Sequence, residues 1–222
     1  MKDHQNVISS HAAAMPSRDR RGYPGAANVM HKDCPACHDQ HHLGKGLTMI
    51  IRECRESDLP LLELHIPSGR NRTHEVHFHR QQQGLSTFQT AWIDDVPVGF
   101  GEVRWRGCAA AEAHERYPDC PELNGLSVWP PQRQSHGIGT AIIHATEALA
   151  AQRGYRHIGL GVDDKNHRAA TLYLRLGHQE TGCRYLDRYH RIDDHGIRQE
   201  VANPCRFLIK PLQNMDDQRF SR

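Results

Sequence analysis

The chain has 222 residues, with 28 Lys+Arg, 26 Asp+Glu, 18 His and 7 Cys, a net charge of +2 and 37% apolar residues. That length suits one large domain or one domain with an appendage, and the near-balanced charge supplies no bulk drive toward nucleic acid or a membrane surface. Seven cysteines cannot all pair within one chain, and there is neither a run of about 18 uncharged apolar residues for a membrane span nor the apolar centre of a secretory signal, so a cytoplasmic location with reduced thiols is expected.

Residues 1–48 read as an extension. They hold Pro/Gly-bearing RGYPGAAN and the run HKDCPACHDQHH, without helical or strand periodicity. Six basic and four acidic residues lie there, which leaves 22 of each in residues 49–222, so the whole net charge belongs to the extension. Cys34, Cys37, His38 and His41 have the residue types and Cys-x2-Cys spacing of half a zinc site. They crowd together with no apolar residues to fold around, and disorder is the better reading; no metal is expected. Met49 can itself serve as a start codon. The folded domain is expected over 49–212, with 213–222 as a tail.

From Met49 the elements follow in order. MIIREC reads as a strand and ESDLPLLELH as a helix with Ser57 as N-cap. Residues 70–84 read as a second, polar helix ending at Gly84. Two strands then flank an Asp94-Asp95 hairpin turn. Residues 107–121 form a loop with a short helix at AAAEAHERY, and ELNGLSV is a strand stopped by Pro130-Pro131. Residues 137–153 carry helical apolar spacing, HIGLGV is a buried strand, and residues 166–176 form a helix stopped by Gly177. Strands at 179–190 and 204–209 finish the chain. The order β-α-α-β-β-β-α-β-α-β-β predicts an α/β fold with a mixed, mostly antiparallel twisted sheet and flanking helices.

Two segments carry chemistry. After the strand ending at Val128, Gln134-Ser135-His136-Gly137-Ile138-Gly139-Thr140 turns into a helix. Such a turn leaves N–H groups without intrahelical partners, aimed at one spot and reinforced by the helix dipole, which suits a pyrophosphate. Alone, a Gly-x-Gly at a helix start is common turn chemistry. After the next strand, Asn166, Ala169 and Tyr173 share one helical face and line one groove; in isolation they read as an N-cap and a core tyrosine.

Together the segments resemble the GCN5-related N-acetyltransferase (GNAT) superfamily. Gln134, Gly137 and Gly139 match its Gln/Arg-x-x-Gly-x-Gly/Ala motif, and Asn166, Ala169, Leu172, Tyr173 and Gly177 match Asn-x-x-Ala-x-x-Leu-Tyr-x-x-x-Gly. The resemblance covers about residues 49–212. It implies acetyl-CoA in a V-shaped opening between strands 123–128 and 157–162, with backbone near Leu126 and Val128 pairing with the pantetheine arm. N–H groups of Ser135, His136, Gly137, Ile138, Gly139 and Thr140 would hold the pyrophosphate, Asn166 would contact the cofactor, and Tyr173 would protonate the departing thiolate. Two departures stand out: the link from Val128 to Gly137 is one residue longer than the family pattern, and His178 replaces the usual Phe or Tyr after Gly177.

An amine acceptor must lose a proton before attacking a thioester. Glu122 is the first candidate base, because strand parity places it beside Leu126 and Val128 if no bulge intervenes. Asp119, Asp163 and a water chain are alternatives. The acceptor pocket is expected from the first helices, the 107–121 loop and the last hairpin, which bring His74, His77, His79, Glu112, His114, Glu115, Tyr185 and Tyr189. The three histidines on the polar helix are read as solvent-facing. The leading function is direct acetyl transfer from acetyl-CoA to a primary amine of a small molecule, with a homodimer compatible. A protein N-terminus or lysine acceptor, and a non-catalytic acyl-CoA-binding module, are the alternatives.

Overall fold

The computed structural model describes residues 39–43 and 47–213. Strand β1 (Asp39–Leu43) pairs antiparallel with β2 (Leu47–Glu53), followed by α1 (Leu59–His65), α2 (Thr73–Gln82), β3 (Ser86–Ile93) and β4 (Val96–Arg104). Then come α3 (Ala111–Arg116), β5 (Glu122–Val128), α4 (Ile138–Gln152), β6 (His157–Asp163), α5 (His167–Arg175), β7 (Gln179–Ile192) and β8 (Arg198–Pro211). The eight strands form one sheet in the order β1-β2-β3-β4-β5-β6-β8-β7, antiparallel except between β5 and β6. The mixed α/β architecture expected from the sequence is therefore present.

Three local differences have physical causes. β1 falls inside the 1–48 extension, so strand pairing starts ten residues upstream of Met49, where no alternation of apolar and polar residues announced a strand. Cys34, Cys37 and His38 lie outside the described residues, as does the 214–222 part of the tail; the side chain of His41, within β1, is not described either. Ser57 is not a cap: Glu56–Asp58 form a 3-10 turn, and Asp58 accepts the Arg55 N–H at 2.7 Å while Arg52 grips both its oxygens at 2.6 and 2.9 Å. The second helix begins at Thr73, because Arg72 takes a left-handed conformation (φ 46°) after a 3-10 turn at Gly69–Asn71.

The β3–β4 hairpin turns on Asp94 and Asp95, both left-handed (φ 50° and 61°), the two-residue geometry that matches strand twist. One core lies between the sheet and α4–α5, built from Ile138, Ile142, Ile158, Leu160, Tyr173 and Leu208, among others. Gly99 and Gly101 let α4 settle on β4, since a β-carbon at Gly101 would stand 2.9 Å from Ile142. The opposite face is covered by α1 and α2 over Phe88 and Phe100, and by α3 over Cys183, Tyr185 and Phe207. Among the described residues, no helix is long and apolar enough to cross a membrane.

Candidate active site

The central parallel pair is short. Only Glu122↔Gly159 and Leu123↔Leu160 are in register between β5 and β6; beyond them β5 stays with β4 while β6 follows β8. The strands part at Asn124, as the V-shaped opening requires. A cavity in this fork is lined by Glu122, Asn124, Tyr173, Tyr185, Asp187 and Cys205. Tyr173 belongs to the core on the α4–α5 face, and Tyr185 and Cys205 to the core under α3. The cavity therefore runs through the sheet, with chemistry reaching it from both faces.

On the α4–α5 side, Gly137 precedes α4 at φ 85°, a conformation natural to glycine, and no atom lies within 4 Å of where its β-carbon would be. Ser135 is also left-handed (φ 65°). By helix geometry the first-turn N–H groups of Ile138, Gly139 and Thr140 have no intrahelical acceptors, the arrangement a phosphate uses. Gln134 braces this turn: its Nε2 donates to the Val128 carbonyl at 3.3 Å, and its Oε1 accepts from Arg168 at 3.2 Å. Arg168 also donates to Ser135 Oγ at 2.7 Å, tying the start of α5 to the turn. His136 is exposed, its ring folded against the Gln134 carbonyl at 2.8 Å.

Asn166 caps α5, its Oδ1 accepting the Ala169 N–H at 3.1 Å. Ala169, Ala170 and Tyr173 are the buried stripe of that helix. Tyr173 is 2% exposed, and burial pushes its phenol above the ordinary value, so it remains a protonated acid across neutral pH.

Glu122 reaches the cavity by a different geometry than strand parity implied. Gly125 (φ 63°) sits where the β4–β5 register shifts, between Phe100↔Ser127 and Glu102↔Asn124. The extra residue inverts the alternation. Leu123 and Leu126 both approach Gly101 on the α4 side, leaving Glu122 and Asn124 on the opposite face. Leu126 and Val128 thus do not share a face with Glu122; the carboxylate enters from the α3 side. There Cys108 hydrogen-bonds with both Tyr185 and Glu122, and Arg104 reaches Glu122 at 3.9 Å. The Tyr185 hydroxyl lies directly over Gly161, where any β-carbon would collide with it. Burial first, then the Glu122 charge, keeps this phenol above its ordinary value.

The expected acceptor residues divide sharply. Tyr185 lines the cavity. His74 and His77, read as solvent-facing, are buried instead, stacked on Phe88 and edge-on or tilted to Phe100. Their nitrogens explain how polar residues enter a core: His74 Nε2 bonds the Ile66 carbonyl at 2.7 Å and His77 Nδ1 bonds Glu102 at 2.8 Å. His79 does face solvent, and Glu112, His114 and Glu115 sit on the exposed side of α3. Tyr189 is half-buried beside Asn203, outside the cavity lining. Asp119 is exposed, and Asp163 accepts the Lys165 N–H at 2.8 Å. Asp187 and Asn124 were missed. Alternation along β7 (Cys183, Tyr185 and Asp187 buried, Arg184, Leu186 and Arg188 exposed) was the signal that finds Asp187. Among the described residues, no group of three or more His, Cys, Asp or Glu is placed to hold a metal ion.

The profile of the acetyltransferase (GNAT) family matches residues 48–178. Among solved structures, the chain is similar to an N-acetyltransferase from Staphylococcus aureus Mu50, at 13% identity over 74% of this chain and 99% of that one, with a TM-score of 0.55. It is also similar to the ribosomal-protein-S18-alanine N-acetyltransferase from Escherichia coli, at 17% identity over 74% and 94% of the two chains and a TM-score of 0.51. A GNAT family acetyltransferase from Elizabethkingia anophelis, solved with acetyl-CoA bound, matches at 15% identity over 74% and 98%, with a TM-score of 0.48. No curated protein matches the sequence. With the family profile spanning more than half of its length, the chain belongs to the GNAT acetyltransferase family: it is an acyltransferase, and acetyl-CoA is its co-substrate.

Proposed function

We propose that the protein acetylates a primary amine of a small molecule by direct transfer within a ternary complex. One observation carries this reading: the fork cavity brings the Tyr173 phenol from one sheet face and the Glu122 carboxylate from the other to a shared space. The thioester lies against the α4–α5 side, its pyrophosphate on the N–H groups from Ser135 to Thr140 and its pantetheine along β5 near Leu126 and Val128. Asn166 shapes the groove from the start of α5.

The acceptor enters from the α3 side. Glu122 takes the ammonium proton, leaving a neutral amine whose lone pair attacks the acetyl carbonyl carbon. A C–N bond forms and the C–S bond breaks. The electron pair of that bond leaves on sulfur, and Tyr173 donates its proton to give CoA thiol. As the amide forms, the acylated nitrogen sheds its second proton to the Tyr173 phenolate through water, and Glu122 releases the first to solvent, so one proton is liberated per amide. A small molecule suits a cavity whose lining includes the buried side chains of Glu122, Asn124, Tyr173 and Tyr185.

Thiol release measured against a panel of amines tests the reading. Tyr173→Phe is expected to lower kcat about a hundredfold with little change in the affinity for CoA. Glu122→Gln is expected to lower kcat/KM most below neutral pH, where deprotonation of the amine is hardest. Unchanged turnover in Tyr173→Phe removes the acid role; turnover with peptide amines alone replaces the small-molecule acceptor.

A further inference from the structure

Glu122 ends a chain of hydrogen bonds that joins three parts of the fold. Tyr185 on β7 and Cys108, in the loop before α3, hydrogen-bond with each other, and Cys108 hydrogen-bonds with Glu122 at the start of β5. All three side chains are buried. The order of donors follows from their chemistry. An ionised carboxylate only accepts, so the Cys108 S–H donates to Glu122 and the sulfur lone pairs are left to accept. They take the Tyr185 O–H and the Ala110 N–H at the start of α3. Burial, then the Glu122 charge, holds Cys108 above its ordinary value, so the proton stays on sulfur. Two other buried cysteines behave differently: Cys54 and Cys120 donate to neighbouring carbonyls, of Arg55 at 3.4 Å and Pro121 at 3.7 Å. A thiol that only fills apolar space needs no carboxylate.

The chain is fixed at both ends. The Tyr185 hydroxyl stands where a β-carbon on Gly161 would be, and that position lies 3.8 Å from Glu122 Oε1. Glycine at 161 therefore lets the phenol and the carboxylate approach β6 at one point. On the other side, Asn124 Nδ2 donates to Glu122 Oε2 at 3.5 Å, and Arg104 stands 3.9 Å from the same oxygen. Among charged and titratable groups, Arg104 thus reaches Glu122 from β4, and Cys120 responds to its charge from the residue before Pro121. Asp187 and Tyr173 line the same cavity from β7 and α5.

We propose that Tyr185 and Cys108 are positioning residues, holding the Glu122 carboxylate through the Cys108 S–H in the orientation and charge state in which it receives the acceptor's proton. This rests on the reading of Glu122 as base and adds to it the groups that set that base. Tyr185 acts through Cys108, and neither passes a proton to substrate. A donor to a carboxylate favours its charged form, so removing either member of the chain moves the acid limb of the pH profile to higher pH.

The test is thiol release from acetyl-CoA as a function of pH, with the fastest of n-butylamine, benzylamine, tyramine and glycinamide as acceptor. Cys108→Ala is expected to lower kcat/KM for the amine about tenfold, to raise the acid limb by about half a pH unit or more, and to leave KM for acetyl-CoA within about twofold. Cys108→Ser, whose hydroxyl makes the same bonds, is expected to restore the limb. Tyr185→Phe is expected to move it in the same direction by less, and to add nothing to Cys108→Ala, because the two act in series. The infrared S–H stretch reads the chain without turnover. The Cys108 band, identified by its loss in Cys108→Ser, is expected below those of the other buried thiols and to rise in Tyr185→Phe and Glu122→Gln. An acid limb unmoved in both Cys108→Ala and Tyr185→Phe, additive losses in the double variant, or a Cys108 band indifferent to Glu122→Gln each overturns the proposal. A wild-type acid limb retained in Glu122→Gln overturns the base assignment itself, so the two failures are distinguishable.

Discussion

Two buried polar groups share the α1–α3 face of the sheet, and they are built on opposite plans. Beneath α2, Glu102 is surrounded by donors: Arg80 at 2.7 Å through both Nε and Nη2, His77 at 2.8 Å and Arg104 at 3.3 Å. Burial works to raise this carboxyl, yet His77, Arg80 and Arg104 outweigh it and hold Glu102 well below the usual carboxylate range. One β-bulge away, the fork has the carboxylates of Glu122 and Asp187 with an unmatched amide oxygen. In the first group His77, Arg80 and Arg104 converge on one carboxylate; in the second Arg104 stands 3.9 Å from Glu122, and Asn124 Oδ1 finds no donor among the described residues. Hydrogen-bond saturation, rather than burial alone, distinguishes the part of this face that holds the fold from the part that lines the proposed site.

The sharpest way to break the contrast is to remove one carboxylate from each group. Glu102→Ala leaves Arg80 and Arg104 desolvated against an apolar floor, and a loss of about 3–5 kcal/mol is expected from denaturant unfolding. Asp187→Asn is expected to change stability by less than about 1 kcal/mol. Comparable losses in both variants would make the fork another structural group.

The next largest effect lies in the fork wall. Gly161→Ala forces the Tyr185 hydroxyl away from β6, and about 2 kcal/mol of stability is expected to go with it. Combining it with Tyr185→Phe, which deletes the colliding oxygen, is expected to recover about 1 kcal/mol in a double-mutant cycle. Additive losses would mean that the hydroxyl does not hold this position.

Much of this was legible in the sequence, for reasons tied to particular residues. Gly137, Gly139, Asn166 and Tyr173 lie in segments where local spacing dictates local geometry, and the structure puts them where that spacing implies. The hairpin at Asp94-Asp95 and the helix over 138–152 follow equally from turn chemistry and apolar period. What escaped is non-local. His74 and His77 look solvated until Phe88, Phe100 and Glu102 arrive from β3 and β4 to receive them. Glu122 looked aligned with Leu126 because Gly125 reads as an ordinary strand glycine, while its φ of 63° and the register shift inverted the alternation. β1, whose sequence DQHHL has no alternating pattern, emerges only from its antiparallel pairing with β2.

The smallest expected effect concerns the histidine packed behind the fork, under acid. His178 is buried against Tyr173, and desolvation first, then the Lys210 charge, lowers it from 6.5 to about 4; burial also lowers His74 and His77. Between pH 6.5 and 4 the unfolded chain binds a proton at His178 that the folded chain refuses. Stability is therefore complete above pH 6.5 and declines as the pH falls toward 4. His178→Phe removes this one proton from the balance, so it is expected to leave stability at pH 7.5 within a few tenths of a kcal/mol and to gain about 1.4 kcal/mol over wild type at pH 5.5. Thermal or urea unfolding at the two pH values reads the difference. His178 packs on Tyr173, which lines the fork, and thiol release by His178→Phe is expected to stay within about twofold of wild type at pH 7.5. A much larger loss of turnover would mean that His178 holds the Tyr173 ring in its position.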